Sequence, residues 1–553
     1  MATLHQKLAS SLEKLHKLQS GGRHVFRSKE FPRADRERLL AQGFLREVIK
    51  GWLISTSPHA APGDTTPWFA SFWEFCAHYC KFRFGKNWHL SPEQSLLLHA
   101  EDTVIPAQVS VYSPNGTNNT ISLLFGTSLY DLKSRMPKAS DLIVKNGLRL
   151  FKSAIALVRV SEDFMRRHPA EVHVLLVGIR DSSEILAPLL EGGHTVVAGR
   201  LAGAFARFGR QDVADEIVKA MKAAGYDVRP ADPFAEQQTF ATLTTGVPPI
   251  VGRLQSFWSL HRENVIAAFP KPPGLPKDTD AYLNFVDSVY QSDAYHSLSI
   301  EGYRVTPELI ERVREGTWNP EANEADRKNR DALAARGYWQ AFQDVKKSVA
   351  QIIAGADAAR LVRSAHRDWY RDMFQPCVAA GLIDARALAG YRTHFVYLQG
   401  SRHVPPRWEV VPDAMEAMFD LLEGEQEPAV RIVLGHWLFG YIHPYPDGNG
   451  RMARFLMNAM LASGGYPWTV IRVEDRAAYM KALESASVEA NIDPFCYIHC
   501  RTGEVVHRPS CQNDRQQVTA TASEHKKGSD IWKGSPDESK RRVPIGPREA
   551  AHI

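Results

Sequence analysis

Twelve consecutive residues, His443-Pro444-Tyr445-Pro446-Asp447-Gly448-Asn449-Gly450-Arg451-Met452-Ala453-Arg454, bring an imidazole, a carboxylate, two glycines around an asparagine, and two arginines into one short stretch. Glycine at 448 and 450 lets the backbone curl tightly without a Cβ in the way. A helix that follows directly points its free N–H groups into that curl and makes a site for an anion, phosphate above all. Arg451 and Arg454 are three apart, so both reach one helix face, and their forked donors suit phosphate oxygens. Asp447 supplies the single hard carboxylate that Mg2+ needs when phosphates provide the other ligands. His443, at the mouth of the loop, is the group able to take a proton near neutral pH. A base beside a held polyphosphate is equipped to make a hydroxyl attack phosphorus. A Gly-Asn turn with a capping Asp is common between helices. One with His four residues before the Asp, and Arg one and four residues after the second Gly, is not.

The flanking sequence supplies what must position these groups. Ala429–Tyr441 (Val430, Ile432, Val433, Leu434, Trp437, Leu438, Phe439) reads as a buried helix before the loop, and Met452–Leu461 as another after it. A helix is predicted from near Asp280, with Tyr282, Phe285, Val286, Val289 and Tyr290 on one face, ending in Ser297-Leu298-Ser299-Ile300-Glu301-Gly302. Tyr391–Leu398 is strand-like, with Gln399-Gly400-Ser401 as a turn and Val404-Pro405-Pro406 beyond, so a hairpin is expected there.

The loop resembles the signature of the Fic family, His-x-Phe-x-Asp-Gly-Asn-Gly-Arg-x-x-Arg, with Tyr445 in the Phe slot. The resemblance implies a protein adenylyltransferase that moves AMP from ATP to a Ser, Thr or Tyr hydroxyl of a protein, itself included. It implies His443 as catalytic base, Asp447 as the ligand of Mg2+ or Mn2+, and Gly448, Asn449, Gly450, Arg451 and Arg454 as ATP-binding residues. Ser297, Glu301 and Gly302 fit the family's inhibitory pattern, Ser/Thr-x-x-x-Glu-Gly/Asn. That implies a Glu301–Arg454 pair which takes the guanidinium meant for the γ-phosphate. The hairpin, with Gln399, Gly400 and Ser401 at its turn, resembles the family's flap, whose edge pairs with an extended target segment. Tyr479, Asn491 and Tyr497 lie where family members line the adenine pocket. Relatives also transfer UMP, phosphocholine or phosphate, or remove AMP. The intact Asp-Gly-Asn-Gly-Arg loop favours nucleotide monophosphate transfer.

The chain has 553 residues, enough for roughly three domains. At 44% apolar and 23% charged it has the composition of a globular protein, and no stretch of 18 apolar residues predicts a membrane span. Met1–Leu18 carries Lys7, Glu13, Lys14 and Lys17, which a secretory signal would not tolerate, and the six cysteines are few. A cytoplasmic protein is the expectation. Net charge is +5, yet residues 1–60 hold eleven Lys/Arg against five Asp/Glu, a local +6 that points to nucleic acid or to a solvated helix face.

Leu4, Leu8, Leu12 and Leu15 predict an amphipathic helix; a second is expected near Ala34–Gln42, then a hairpin over Phe44–Ile54 turning at Lys50-Gly51. Residues 1–75 thereby resemble the winged-helix start of AbiEi-type antitoxin regulators, which implies a DNA partner. Residues 76–235 resemble that family's α/β domain, with strands expected at Val104–Tyr112 and Val172–Val177 and a helical stretch opening at Gly199-Arg200-Leu201-Ala202-Gly203. Gly199 and Gly203 read as helix-packing positions. The expected architecture is therefore multidomain: a winged-helix-like and α/β N-terminal region, then an all-α Fic domain over 236–504 with a β-hairpin flap and an inhibitory helix at about 280–302, then a disordered tail at 505–553. Fic proteins of this subclass often dimerise, so a homodimer is implied. The alternative is an ATP-sensing, DNA-binding transcriptional regulator or toxin-antitoxin-like protein. Cys496, His499, Cys500, His507 and Cys511, and Cys76 with His78 and Cys80, are spaced too irregularly for a zinc site.

Overall fold

The N-terminal residues build a small helix-and-sheet unit. In the computed structural model, which describes residues 3–58, 63–235, 248–318 and 330–503, Thr3 caps helix α1 (Leu4–Leu18) by accepting from Gln6 N at 3.3 Å. Strand β1 (Val25–Arg27), helix α2 (Arg33–Ala41), β2 (Leu45–Ile49) and β3 (Trp52–Ser55) follow, and the strands form an antiparallel sheet in the order β1-β3-β2. Leu15, Phe26, Phe31, Leu39, Leu45 and Leu53 fill its core. Asp35 of α2 accepts from Ser11, Lys14 and Arg38, so one buried carboxylate ties the two helices together.

A long aromatic helix, α3 (Thr66–Phe84), leads into a four-stranded sheet: β4 (His89–Leu90), β5 (Gln108–Ser113), β6 (Asn119–Ser122) and β7 (Ser128–Lys133), ordered β4-β5-β7-β6 with β5 and β7 parallel. A hairpin, β8 (Leu142–Lys145) and β9 (Leu148–Phe151), follows. From Ser153 to Ala223 the chain is helical. Two expectations are corrected here. Val172–Val177 is not a strand but lies in the helix Pro169–Gly178. That helix is buried on nearly every side, and a continuous apolar run carries no period by which to tell helix from strand. The strand placed at Val104–Tyr112 begins only at Gln108, and Val104 pairs elsewhere. Gly199 and Gly203 sit inside the helix Thr195–Arg207, where the Arg229 and Ala231 carbonyls press on them. Cys76 and Cys80 are buried in α3, and burial pushes both thiols up.

The remainder is an α-helical assembly around one continuous core. It comprises Pro249–Ala268, Thr279–Ile300, Pro307–Arg314, Arg330–Ile353, Ala358–Ala379, Val411–Gly424, Pro428–Ile442, Asn449–Gly464, Arg476–Val488 and Asp493–Gly503. No helix among the described residues is long and apolar enough to cross a membrane. The expected tail, with His507 and Cys511, lies outside the described residues.

The expected flap hairpin is also corrected. Gln399 and Gly400 do form a turn, closed by Ser401 N donating to Leu398 O at 3.1 Å, but Tyr391–Leu398 is not a strand. The far leg pairs with the N-terminal half instead. His403 bridges Val104 antiparallel, Val404 N donates to Thr103 O at 2.8 Å, and Ile105 N donates to Arg402 O at 2.8 Å. Pro405 and Pro406, lacking N–H, end that ladder.

Candidate active site

Two helices present the loop. Pro428–Ile442 is buried almost throughout and ends at His443, whose backbone is left-handed (φ 51°), a conformation costly for a non-glycine residue. That reversal turns the imidazole out of the helix and starts the loop. Asn449 then locks the loop shut: its Nδ2 donates to Tyr445 O at 2.8 Å and its Oδ1 accepts from Tyr445 N at 2.9 Å. Tyr445 is buried and stacked on Tyr370, centroids 3.8 Å apart, so the aromatic slot anchors the loop to the core. Gly448 is left-handed (φ 78°) and packs on the Phe374 ring, and helix Asn449–Gly464 begins directly after it. Asn449, expected to touch ATP, therefore acts in this structure as the clasp of the loop.

His443 Nδ1–H donates to Gly440 O at 3.3 Å, which leaves Nε2 with its lone pair. Burial lowers the pKa to about 4, so the ring is neutral at pH 7. Asp447 stands at the loop mouth with its side chain 58% exposed, while one oxygen accepts from Gly448 N at 2.6 Å. A half-exposed carboxylate fits a divalent cation shared with phosphates.

The arginines line the inner wall. Arg451 is 1% exposed and lies between the Tyr303 and Phe374 rings, 5.1 and 5.0 Å from their centroids. Arg454 is also buried. Its Nε donates to Ser297 Oγ at 2.9 Å, and its Nη2 donates to Ser297 O at 3.0 Å and to Glu301 Oε1 at 2.7 Å. Arg451 Nε and Arg454 Nη1 are buried without a hydrogen-bond partner among the described residues. Buried guanidinium donors left open in this way fit an anion.

Helix Thr279–Ile300 delivers Glu301 to this wall. Gly302 stops it, with Gly302 N donating to Ser299 O and Tyr303 N to Leu298 O. Burial alone would raise the Glu301 carboxyl, but the Arg454 guanidinium beside it holds it below its ordinary value. A Cβ at position 450 would collide with Glu301 Oε1, so the carboxylate sits against the glycine of the loop itself.

Tyr479, Asn491 and Tyr497, expected at an adenine pocket, differ in their surroundings. Tyr479 is buried, its hydroxyl 2.8 Å from His436 Nε2 and facing Arg454. Asn491 is exposed and accepts from Asp493 N at 3.1 Å, at the start of the last described helix; Tyr497 is 54% exposed. Gln399 and Gly400 form the turn, Gly400 N donates to Thr65 Oγ1 at 3.0 Å, and Ser401 Oγ donates to Glu484.

Arg392 was not singled out from sequence. It is 2% exposed, and it donates to the carbonyls of His443 (2.8 Å), Ile442, His394 and Pro406, while its N–H donates to Pro444 O at 2.8 Å. One cation so fastens the base of the flap segment to the C-terminal carbonyls of the helix before the loop. A lone arginine in a strand-like run carries no sequence signal of that role.

Comparison with known proteins agrees with the geometry. Residues 358–461 match the family described as Fic/DOC. The protein adenylyltransferase Fic of Nematostella vectensis is 41% identical over 118 residues, which cover 21% of this chain and 27% of the relative. That of Drosophila mojavensis is 29% identical over 212 residues, covering 37% and 38%. The chain thus spans well under half the length of these curated relatives. Among solved structures, a Fic-1 fragment from C. elegans shares 16% identity, covers 67% of this chain and 98% of its own, and gives a TM-score of 0.34. A Fic domain containing signaling protein from Bacteroides thetaiotaomicron shares 19% identity at TM-score 0.31, covering 52% of this chain and all of its own. On the sequence match, residues 358–461, which contain the loop His443–Arg454, are a Fic domain of the Fic/DOC family.

Proposed function

We propose that this chain is a protein adenylyltransferase held inactive by its own Glu301. Arg451, Arg454 and the loop would hold the phosphates of ATP. His443 Nε2 would take the proton of a Ser, Thr or Tyr hydroxyl on a target protein. The hydroxyl oxygen would then form a bond to the α-phosphorus as the bond to pyrophosphate breaks, leaving AMP esterified to the target. Asp447 would hold Mg2+ or Mn2+ together with the phosphates; that ion supplies charge neutralisation to the departing pyrophosphate. While Glu301 accepts from Arg454, the γ-phosphate has no arginine to meet, and ATP would bind only in an unproductive pose.

The observation that carries this reading is Glu301 lying 2.7 Å from Arg454 beside a loop that opens on His443, whose Nδ1 is engaged by Gly440 O. The experiment is intact-mass analysis of wild type, Glu301→Gly and Glu301→Gly/His443→Ala with ATP and Mg2+, with and without candidate target proteins. An AMP adduct with Glu301→Gly that is absent from the double variant supports the reading. Adducts from UTP or CTP and none from ATP would replace the donor.

The order of the N-terminal elements favours a second reading, a winged-helix DNA contact used for transcriptional regulation. Arg33, Arg36 and Arg38 of α2 are engaged with Glu37, Ser28 O and Asp35, which lowers their availability to phosphates. Salt-dependent binding of the whole chain to duplex DNA tests it, and binding indifferent to 50–200 mM salt, or none, removes it; a protein neutralising several phosphates loses on the order of 10³-fold across that range.

A further inference from the structure

Arg454 is surrounded by polar groups from two elements. Ser297, Glu301 and the nearby buried Asp293 all belong to the helix Thr279–Ile300 or its last turn. The Tyr479 hydroxyl comes from another element, the helix Arg476–Val488, and is close enough for Arg454 to act on it by charge and hydrogen bonding.

Behind Tyr479 runs a line of buried rings. The Tyr479 hydroxyl is 2.8 Å from His436 Nε2, His436 Nδ1 is 2.8 Å from His499 Nε2, and His499 Nδ1 is 2.8 Å from Phe495 O. The last contact fixes the direction of every proton. A carbonyl only accepts, so His499 Nδ1 carries hydrogen and its Nε2, in a neutral ring, is an acceptor. His436 Nδ1–H must then donate to it, which makes His436 Nε2 an acceptor in turn. The Tyr479 O–H therefore points at His436, and the lone pairs of its oxygen are turned toward Arg454. Burial keeps the imidazoles neutral, lowering His499 to about 4 and His436 well below its ordinary value.

We propose that Tyr479, oriented by His436 and His499, is the positioning residue that holds Arg454 toward the γ-phosphate once Glu301 has withdrawn. This rests on the nucleotide reading above. Every other grip on Arg454 named here comes from the segment that must loosen for ATP to bind productively. Tyr479 and the rings behind it stand on three other helices, Arg476–Val488, Pro428–Ile442 and Asp493–Gly503. Nη1 of Arg454, open toward Gly450, would stay aimed into the loop.

The test uses the whole chain carrying Glu301→Gly and adds Tyr479→Phe, which keeps the ring and removes the oxygen. ATP and ADP affinities are measured by calorimetry with Mg2+, after melting curves show both variants folded. The expected result is a loss of about tenfold for ATP, the size of one hydrogen bond to a charged group, with ADP affinity unchanged. His436→Phe should produce the same selective loss through Tyr479. Equal losses for both nucleotides, or an unchanged preference for ATP, overturn the proposal, since a purely structural role weakens both alike. A parent that does not distinguish ATP from ADP overturns it too. Binding is read here and not transfer, so the selective loss without any AMP adduct would keep this inference and discard the transfer reading.

Discussion

Glu301 Oε1 accepts a hydrogen bond from Arg454 Nη2 at 2.7 Å and fills the space that a side chain at position 450 would need. One carboxylate thereby engages an arginine of the loop and abuts the loop backbone. A hydrogen bond between charged groups contributes about 1.5–3 kcal/mol, so Glu301→Gly should raise AMP transfer by roughly ten- to a hundredfold. A time course of adduct formation reads this directly, and rates equal to wild type would remove Glu301 from the role of brake.

Mild acid should not loosen the Glu301–Arg454 contact. The folded carboxyl of Glu301 is held below its ordinary value, so its ionic contact is present at neutral pH and is lost only as pH falls through the lowered value. His443 titrates at about 4 and is neutral above that, so the base is protonated in the same acid range. Transfer by Glu301→Gly should therefore show no inflection from His443 between pH 5 and 8 and should fall toward pH 4 (the window set by the lowered value of about 4). An inflection near 6.5, the ordinary value for histidine, would contradict the buried environment.

His443→Ala on the Glu301→Gly background should lower transfer by about 10²–10⁴-fold, the usual contribution of a general base, with ATP affinity retained. Comparable losses in ATP binding would mean that the ring holds nucleotide and does not take the proton.

Arg392→Met should disconnect the flap segment from the loop. The guanidinium satisfies carbonyls of His443, Ile442, His394 and Pro406, and leaving them bare costs roughly 1–3 kcal/mol each where water cannot reach. The expected outcome is a lower melting temperature together with a raised KM for the target protein and unchanged ATP affinity. An unchanged KM for target would restrict Arg392 to stability.

Arg253 offers a test of how the halves of the chain are joined. Buried to 2% exposure, it meets Asp102 at 2.7 Å and Glu171 at 3.0 Å. Arg253→Met should cost about 3–5 kcal/mol, because two nearly buried carboxylates lose their cation. Thermal unfolding measures it, and a melting temperature within a degree of wild type would show that water replaces the arginine.

The loop was legible because its residues are contiguous: the imidazole, the carboxylate and both arginines fall within twelve residues, and the flanking helices carry plain apolar runs. The same held for α1, α2 and the β2–β3 hairpin, whose periods and turn residues are local. Val172–Val177 was misread because an apolar run buried on all sides has no periodicity to reveal its state. The flap hairpin was misread because the far leg takes its hydrogen bonds from Thr103 and Ile105, about three hundred residues earlier. Tyr479 reads locally as one more aromatic on a helix. Its setting behind Arg454 depends on His436 and His499, which meet it only in the folded chain.

The short ladder between Thr103–Ile105 and Arg402–Val404 makes the two halves of this chain mechanically continuous. Thr103 extends the contact: a chain of hydroxyls and rings, Thr103, His403 and Tyr441, reaches two residues short of His443. The N-terminal half thus touches both the segment Arg402–Val404 and the end of the helix before His443. A variant library confined to residues 358–461 would overlook the contacts to the helix before His443 that begin at Thr103.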